Sequence, residues 1–348
     1  MPQSSKSPKP PTPASGSPTQ PPTAATSADV ARLAGVSRAT VSYVLNNAEA
    51  VRISEPTRRK VREAAEELGY VPHAAARSLR AGHTRIVLLP TSHVPVGPLY
   101  STFLNELQWG LRRLDYTVVQ YGSLGLSGDE AARAWAELRP VAVISLGEIT
   151  LSAHNVATLK RAGARAVITM GPVSVPGAHA LVMDQQEVGA RAAAHLVERG
   201  RRRIGVVVPQ EEGMGLFSDP RLAGARSVEG ALIEPAPMSY TEESAAALAA
   251  RWRGLGLDGV FAYNDEYAML LMRALQDEGL RIPEDVAVIG ADDLLIGRLL
   301  RPRLSTVQIE MPTGDHMASL VDRAVREPSE VTERHDLMAA RAVPREST

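Results

Sequence analysis

Cysteine is absent from all 348 residues. That excludes disulfides, Cys-ligated zinc and thiol nucleophiles, and it fits a reducing compartment. No basic, apolar, small-residue leader opens the chain, and no apolar run approaches the roughly 20 residues that a spanning helix needs. The expected location is the cytoplasm, with no membrane partner. The eight His residues show no metal-ligand spacing. Neither a nucleophile elbow nor a phosphate loop is present. The stretch Gly254-Leu-Gly-Leu-Asp-Gly259 matches G-x-G-x-x-G, but it follows a helical pattern and leads into a strand, the reverse of a dinucleotide site. The acidic pairs Asp265-Glu266 and Asp292-Asp293 are too little to argue catalysis. The chain is expected to carry no cofactor and no metal and not to be an enzyme.

What is present is an uneven charge. Up to Arg85 there are 12 Lys/Arg and 6 Asp/Glu, a net +6; the remaining 26 and 33 give −7. A basic front on an acidic body points to a polyanion partner for the front alone. At this length two or three domains are expected. Residues 1–25 hold eight of the 25 prolines and almost no large apolar residue, so they read as a disordered Pro/Ser/Thr-rich tail.

From residue 26 to 70 the pattern is helical, in short pieces. Thr26 or Ser27 can cap a first helix, Ala28–Ala34, and Gly35 permits a sharp turn. Ser37 can cap a second helix that runs to about Asn46, with Val41, Val44 and Leu45 on one face. Ser54 caps a third with Pro56 in its first turn. Val61, Ala64, Ala65 and Leu68 form its inward stripe, and Gly69 ends it. Two short helices joined through a glycine form a helix-turn-helix, whose second helix is shaped for a major groove. Ser37, Arg38, Ala39, Ser42 and Tyr43 lie off the apolar face. A helical hairpin with a merely solvated polar face has the same spacing.

After Gly82 short β-branched runs alternate with helical segments. The runs are Arg85–Leu89, Thr117–Tyr121, Val141–Ser145, Ala166–Met170, Ile204–Val208, Gly259–Ala262 and Val286–Gly290. Between them lie candidate helices such as Thr102–Leu114, Glu187–Arg199, Glu242–Arg253 and Glu266–Glu278. This alternation means an α/β body with parallel sheets covered on both faces. Periodicity leaves open one large sheet or two lobes.

The stretch from Asp29 to Asn46, D-V-A-R-L-A-G-V-S-R-A-T-V-S-Y-V-L-N, closely resembles the reading head of the LacI/GalR repressor family. Gly69-Tyr-Val-Pro-His-Ala-Ala-Ala-Arg-Ser-Leu-Arg80 resembles the family's hinge helix. The resemblance implies a helix-turn-helix head over residues 26–70 and a hinge over 71–83. It implies a two-lobed periplasmic-binding-protein-like sensing and dimerisation body over 84–348. It also implies contacts to double-stranded operator DNA from Ser37, Arg38, Ala39, Thr40, Ser42, Tyr43 and Asn46. From the hinge segment it adds Tyr70, His73, Ala76, Arg77 and Leu79, the last as a minor-groove wedge. Tyr43 stands where many relatives have Arg, and His73 replaces the usual hinge Asn.

In the body, Asp219-Pro-Arg-Leu-Ala-Gly224, Tyr263-Asn-Asp-Glu266 and Gly290-Ala-Asp-Asp293 resemble the family's effector motifs, placed on strand ends or loops at a cleft. The implied effector residues are Arg221, Asn264 and Asp292, with Tyr100 on the first lobe and Tyr240 as a stacking ring. A guanidinium, an amide and a carboxylate suit a hydroxylated or anionic small molecule. The plainer reading makes Asn264 and Asp265 helix caps, Asp292 a turn residue, and the two tyrosines core. Met170 replaces a residue often charged in sugar-responsive members, and Arg221 to Thr241 is shorter than in typical relatives. The expected function is a repressor that binds a pseudo-palindromic operator as a homodimer, or a tetramer, under a sugar-like or nucleoside-like effector. The rivals are a regulator whose body only dimerises and a plain small-molecule binding protein.

Overall fold

The computed structural model of the chain describes residues 25–45, 52–71, 78, 83–91, 97–123, 125–145, 150–171, 174–329, 332–336 and 339–348. The expected tail up to residue 24 lies outside the described residues, as do Asn46, His73, Ala76, Arg77 and Leu79. The chain divides into two compact units, residues 1–80 and 81–348.

The first unit is built on three helices: α1 (Ser27–Ala34), α2 (Arg38–Leu45) and α3 (Glu55–Glu67). Thr26 caps α1 through a reciprocal box, its hydroxyl accepting from the Asp29 N–H while the Asp29 carboxylate accepts from the Thr26 N–H. Gly35 takes φ +68° and turns the chain within two residues of α2. The core is four Val and three Ala: Val30, Ala31, Val41, Val44, Val61, Ala64 and Ala65. Leu45, Leu68 and Tyr70 pack on it from the edge. The expected apolar stripes therefore meet. Ser54 is a correction: it precedes α3, but its hydroxyl makes no cap bond and pairs with Thr57 Oγ1 at 2.8 Å. A core of small side chains gains little per residue, since a fully buried Val contributes about 1.5–3 kcal/mol. A helix cap such as the Thr26 box adds about 1 kcal/mol to that.

The second unit answers the question that periodicity left open: it has two lobes. The first contains β1 (Ile86–Thr91), α4 (Pro98–Arg113), β2 (Thr117–Gly122), α5 (Gly128–Glu137), β3 (Ala142–Ser145), α6 (Ala153–Arg161), β4 (Ala166–Met170) and β5 (His179–Val182). The second contains α7 (Gln185–Glu198), β6 (Arg203–Pro209), α8 (Gly215–Arg226), β7 (Leu232–Met238), α9 (Glu242–Leu255), β8 (Gly259–Phe261), α10 (Asp265–Asp277), β9 (Ala287–Ala291), α11 (Leu295–Leu299) and β10 (Ser305–Glu310). The chain then returns to the first lobe with α12 (Gly314–Arg326) and β11 (Arg334–Asp336), and ends in the second with β12 (Ala339–Val343).

Each lobe has one six-stranded sheet, in the orders β11-β5-β4-β3-β1-β2 and β12-β10-β9-β8-β6-β7. All pairings are parallel except β10 with β12. Both sheets are doubly wound around their first strand, so each has a switch point at its strand ends where ligands bind in such folds. Apolar clusters fill both faces of each sheet. The glycine-rich match at 254–259 caps α9, with Gly256 at φ +63°, and feeds β8, as its order required.

Helix pairs touch backbone to backbone at matched glycines. A Cβ on Gly189 of α7 would stand 1.8 Å from the Arg221 carbonyl oxygen, and one on Gly224 of α8 would stand 1.9 Å from that of Gln186. This contact seats α8 on the first turn of α7. In the other lobe, Gly110 and Gly314 let α4 and α12 approach in the same way.

Candidate nucleic-acid interface and effector cleft

On α2 the buried residues are Val41 and Val44. The opposite side exposes Arg38, Ala39 and Tyr43, with Ser37 just before the helix, while Thr40 and Ser42 are half-buried. Ser37 Oγ accepts from the Thr40 N–H at 3.0 Å and lies 2.9 Å from Thr40 Oγ1, so these two hydroxyls help start the helix. Arg38 makes no hydrogen bond or ion pair among the described residues. Its guanidinium keeps all its donors for an outside partner. Tyr70 instead packs against the head's core and is only partly accessible.

In the body, Arg221 lies within α8, past Pro220, and not on the loop or strand end that the motif led us to expect. Its side chain is buried. Nε donates to Gln185 Oε1 at 2.8 Å, Nη1 donates to the Tyr263 carbonyl at 2.6 Å, and Nη2 stands 4.0 Å from Asp292 Oδ1. The guanidinium also lies 4.6 Å from the centre of the Tyr263 ring. Asn264, as the plainer reading held, caps α10: Oδ1 accepts from the Glu266 and Tyr267 N–H groups at 3.1 and 3.0 Å. Capping does not remove it from the cleft, because its amide sits next to both Asp292 and Glu266.

Asp292 and Asp293 take φ +94° and +52° in succession, a conformation that costs side-chain residues energy and is held by the surroundings. Asp293 is gripped by Arg298 at 3.0 Å and by Arg345. Asp265, fully buried, accepts from Thr306 Oγ1 and from the Leu294 N–H, both at 2.7 Å. Burial pushes its carboxyl up to about 7, against those two hydrogen bonds and with help from Asp292 and Asp293. Burial also raises Asp292, opposed first by the Arg221 guanidinium.

Tyr240 is 43% exposed and its ring centre lies 5.2 Å from that of Tyr267, which stands edge-on to Tyr263 at 5.5 Å. Glu211 ties the group together by accepting from the Tyr240 N–H and the Tyr267 hydroxyl, both at 2.5 Å. The first lobe approaches at Gly97, where a Cβ would lie 3.9 Å from Asn264 Nδ2 and 4.0 Å from Glu266 Oε2. Tyr100 follows one turn into α4, half-buried, its ring 6.4 Å from Phe103. Arg221, Asn264 and Asp292 are thus one cluster, joined to Tyr240 through Tyr263 and Tyr267. Gln185, Glu211, Tyr263, Asp265, Glu266 and Tyr267 belong to it as well. Tyr263, Asp265 and Glu266 lie inside the motif that carries Asn264 and Tyr267 follows it, whereas Gln185 and Glu211 had no sequence signal.

The family models match in the same two places. Residues 26–73 match that of the bacterial regulatory proteins of the lacI family, and residues 193–348 match a periplasmic binding protein-like domain. The HTH-type transcriptional regulator CelR of Thermobifida fusca is 32% identical over 321 residues, 86% of this chain and 92% of that one. The chain belongs to the LacI family of transcription regulators. A PurR repressor of Vibrio atlanticus is 30% identical over 295 residues, 81% and 86% of the two chains. Among solved structures, a CelR–cellobiose complex shares 27% identity at a TM-score of 0.62, covering 93% of this chain and all of that one. A lac repressor dimer bound to operator and an anti-inducer has the same fold at a TM-score of 0.75 and 22% identity, covering 93% and 98%. Among the described residues of this LacI-family chain, no helix is long and apolar enough to cross a membrane.

Proposed function

We propose that the chain represses transcription by binding a pseudo-palindromic operator as a homodimer, and that a small molecule held between the body's lobes switches that binding. One observation carries it: α2 buries Val41 and Val44 and leaves Arg38, Ala39 and Tyr43 unspent on the other side. Arg38 suits a bidentate contact to guanine, the Ala39 methyl a thymine methyl, and the Ser37 and Tyr43 hydroxyls phosphate or base edges. Two copies related by a two-fold axis read two half-sites. The hinge segment, with His73, Ala76, Arg77 and Leu79, is assigned to the minor groove on the resemblance alone. The protein acts by binding and not by catalysis, in the cytoplasm with its DNA.

For the effector, a similar regulator solved in complex with cellobiose supports the sugar-like side of a sugar-like or nucleoside-like ligand. Tyr240 offers a ring face for stacking, and Arg221, Asn264 and Asp292 orient polar groups. The strained Asp292-Asp293 pair supports a body with two states, because such strain persists where a site is poised to change. A body that only dimerises is the second reading, favoured by the burial of Arg221 against partners of its own chain.

Selection of DNA fragments from a random library by the full chain tests the assignment. Enrichment of two related half-sites in inverted repeat is the expected result. Enrichment of no sequence, or of a single asymmetric site, overturns it.

A further inference from the structure

Among the described residues, the second lobe's face of the cleft carries two acids with no cationic partner, Glu211 and Glu266. Asp265 is fully buried, on a hydroxyl and a backbone N–H, and is not part of that face. Among the described residues the one buried cation beside them, Arg221, is occupied by Gln185, by the Tyr263 carbonyl and ring, and by Asp292. Arg298 and Arg345 are both on Asp293. A phosphate or carboxylate entering here finds acceptors where it needs donors. A hydroxyl finds the opposite.

Glu266 is the acceptor best placed to meet such a ligand. It sits in the first turn of α10, half-buried, with Oε2 3.5 Å from Asn264 Nδ2 and 4.0 Å from the Cβ position of Gly97 across the lobes. We propose that Glu266 accepts hydrogen bonds from ligand hydroxyls, and that the acid lining selects uncharged, hydroxyl-rich ligands and rejects their phosphorylated forms. This rests on the effector reading above and narrows it, because the motifs alone admitted anions. The exposed ring of Tyr240 packs against Tyr267 while the Tyr240 N–H donates to Glu211, and it supplies the apolar face that a hydroxylated ring stacks on. Burial raises the Glu266 carboxyl, and the Asp292 charge adds to it, which is how acids behave in a site short of cations.

Matched pairs of probes test this on the full chain by calorimetry: cellobiose and cellobiose 6-phosphate, glucose and glucose 6-phosphate, inosine and inosine 5′-monophosphate. At least one neutral member should bind, and its phosphorylated counterpart should bind about tenfold or more weakly, since like charges at close range cost that much. In Glu266→Gln, which keeps the shape, the neutral ligand should weaken about tenfold and the gap between the pair should shrink. An unchanged melting temperature without ligand will show that the fold is intact. A phosphorylated probe that binds as well as its neutral partner overturns the proposal, and so does a variant that leaves both affinities unchanged. Failure of all six probes overturns the effector reading and this inference together, while operator selection is untouched by it.

Discussion

Arg38 in the head and Arg221 in the body are both assigned to recognition, yet they are held in opposite ways. Arg38 stands in solvent with no partner among the described residues, whereas Arg221 is sealed between Gln185, Tyr263 and Asp292. The difference fits the two roles proposed for them. A group that meets DNA by collision keeps its donors free, because water replaces them cheaply until the contact forms. A group that must report a ligand is wired to neighbours whose positions change with it. Arg221 lies on α8 directly against α7, and Asp292 joins the strained turn that leads through Asp293 and Leu294 to α11. A ligand there competes with contacts already made.

The contrast breaks most sharply at Arg221 itself. Arg221→Ala leaves Asp292 buried without its cation and should cost the body about 3–5 kcal/mol in denaturant unfolding, while Arg221→Met with Asp292→Asn should recover most of the loss. If the single variant costs under about 1 kcal/mol, Arg221 is not the buried partner that this account makes it.

Asp265 sharpens the same half through pH. Its ordinary value is 3.8 and its folded value is about 7. As pH rises through 4, the unfolded chain gives up a proton that the folded chain keeps until about pH 7. Stability from this group therefore falls between pH 4 and 7 and levels off above. In Asp265→Asn the Oδ1 can accept from the Leu294 N–H, and the Thr306 hydroxyl can turn to accept from Nδ2. That variant should lack the slope, so the unfolding free energies of the two proteins from urea melts should diverge by an amount on the order of 1–3 kcal/mol between pH 4 and 7 in the variant's favour. A parallel pair of profiles would contradict it.

Arg38 should behave in reverse. Arg38→Ala should weaken binding to the selected operator by about 1–3 kcal/mol and leave thermal stability unchanged. An equal loss on unrelated DNA would make it a phosphate contact. The smallest effects lie in the head's caps. Thr26→Ala removes a reciprocal box and should cost about 1 kcal/mol, whereas Ser54→Ala, with no cap bond to lose, should cost only a few tenths. Equal losses in thermal melts would show that Ser54 caps in solution.

How far the sequence revealed this molecule divides along the same line. The head's helices were legible from Val41, Val44, Val61 and the turn at Gly35, because a small core on a 3.6-residue period leaves few other solutions. Seven parallel strands, β1–β4, β6, β8 and β9, were legible as β-branched runs, within a residue or two at each end. β5, β10 and β11 were not among those runs, and neither was β7, where Pro235 and Pro237 argue against a strand; it survives only as a sheet edge paired to β6 alone. Pro220 disguised α8 in the same way. In the cleft, the motif residues Arg221, Asn264 and Asp292 were named correctly as neighbours. Gln185 could not be, because its contact exists only where α7 and α8 touch at two glycines far apart in sequence.

One titration tests the link between the two halves. The full chain is titrated onto its selected operator by fluorescence anisotropy, with and without whichever probe calorimetry shows to bind. Saturating ligand should change operator affinity at least about fivefold, in line with a coupling free energy of about 1 kcal/mol or more. A ligand that binds the body and leaves operator affinity unchanged would contradict it.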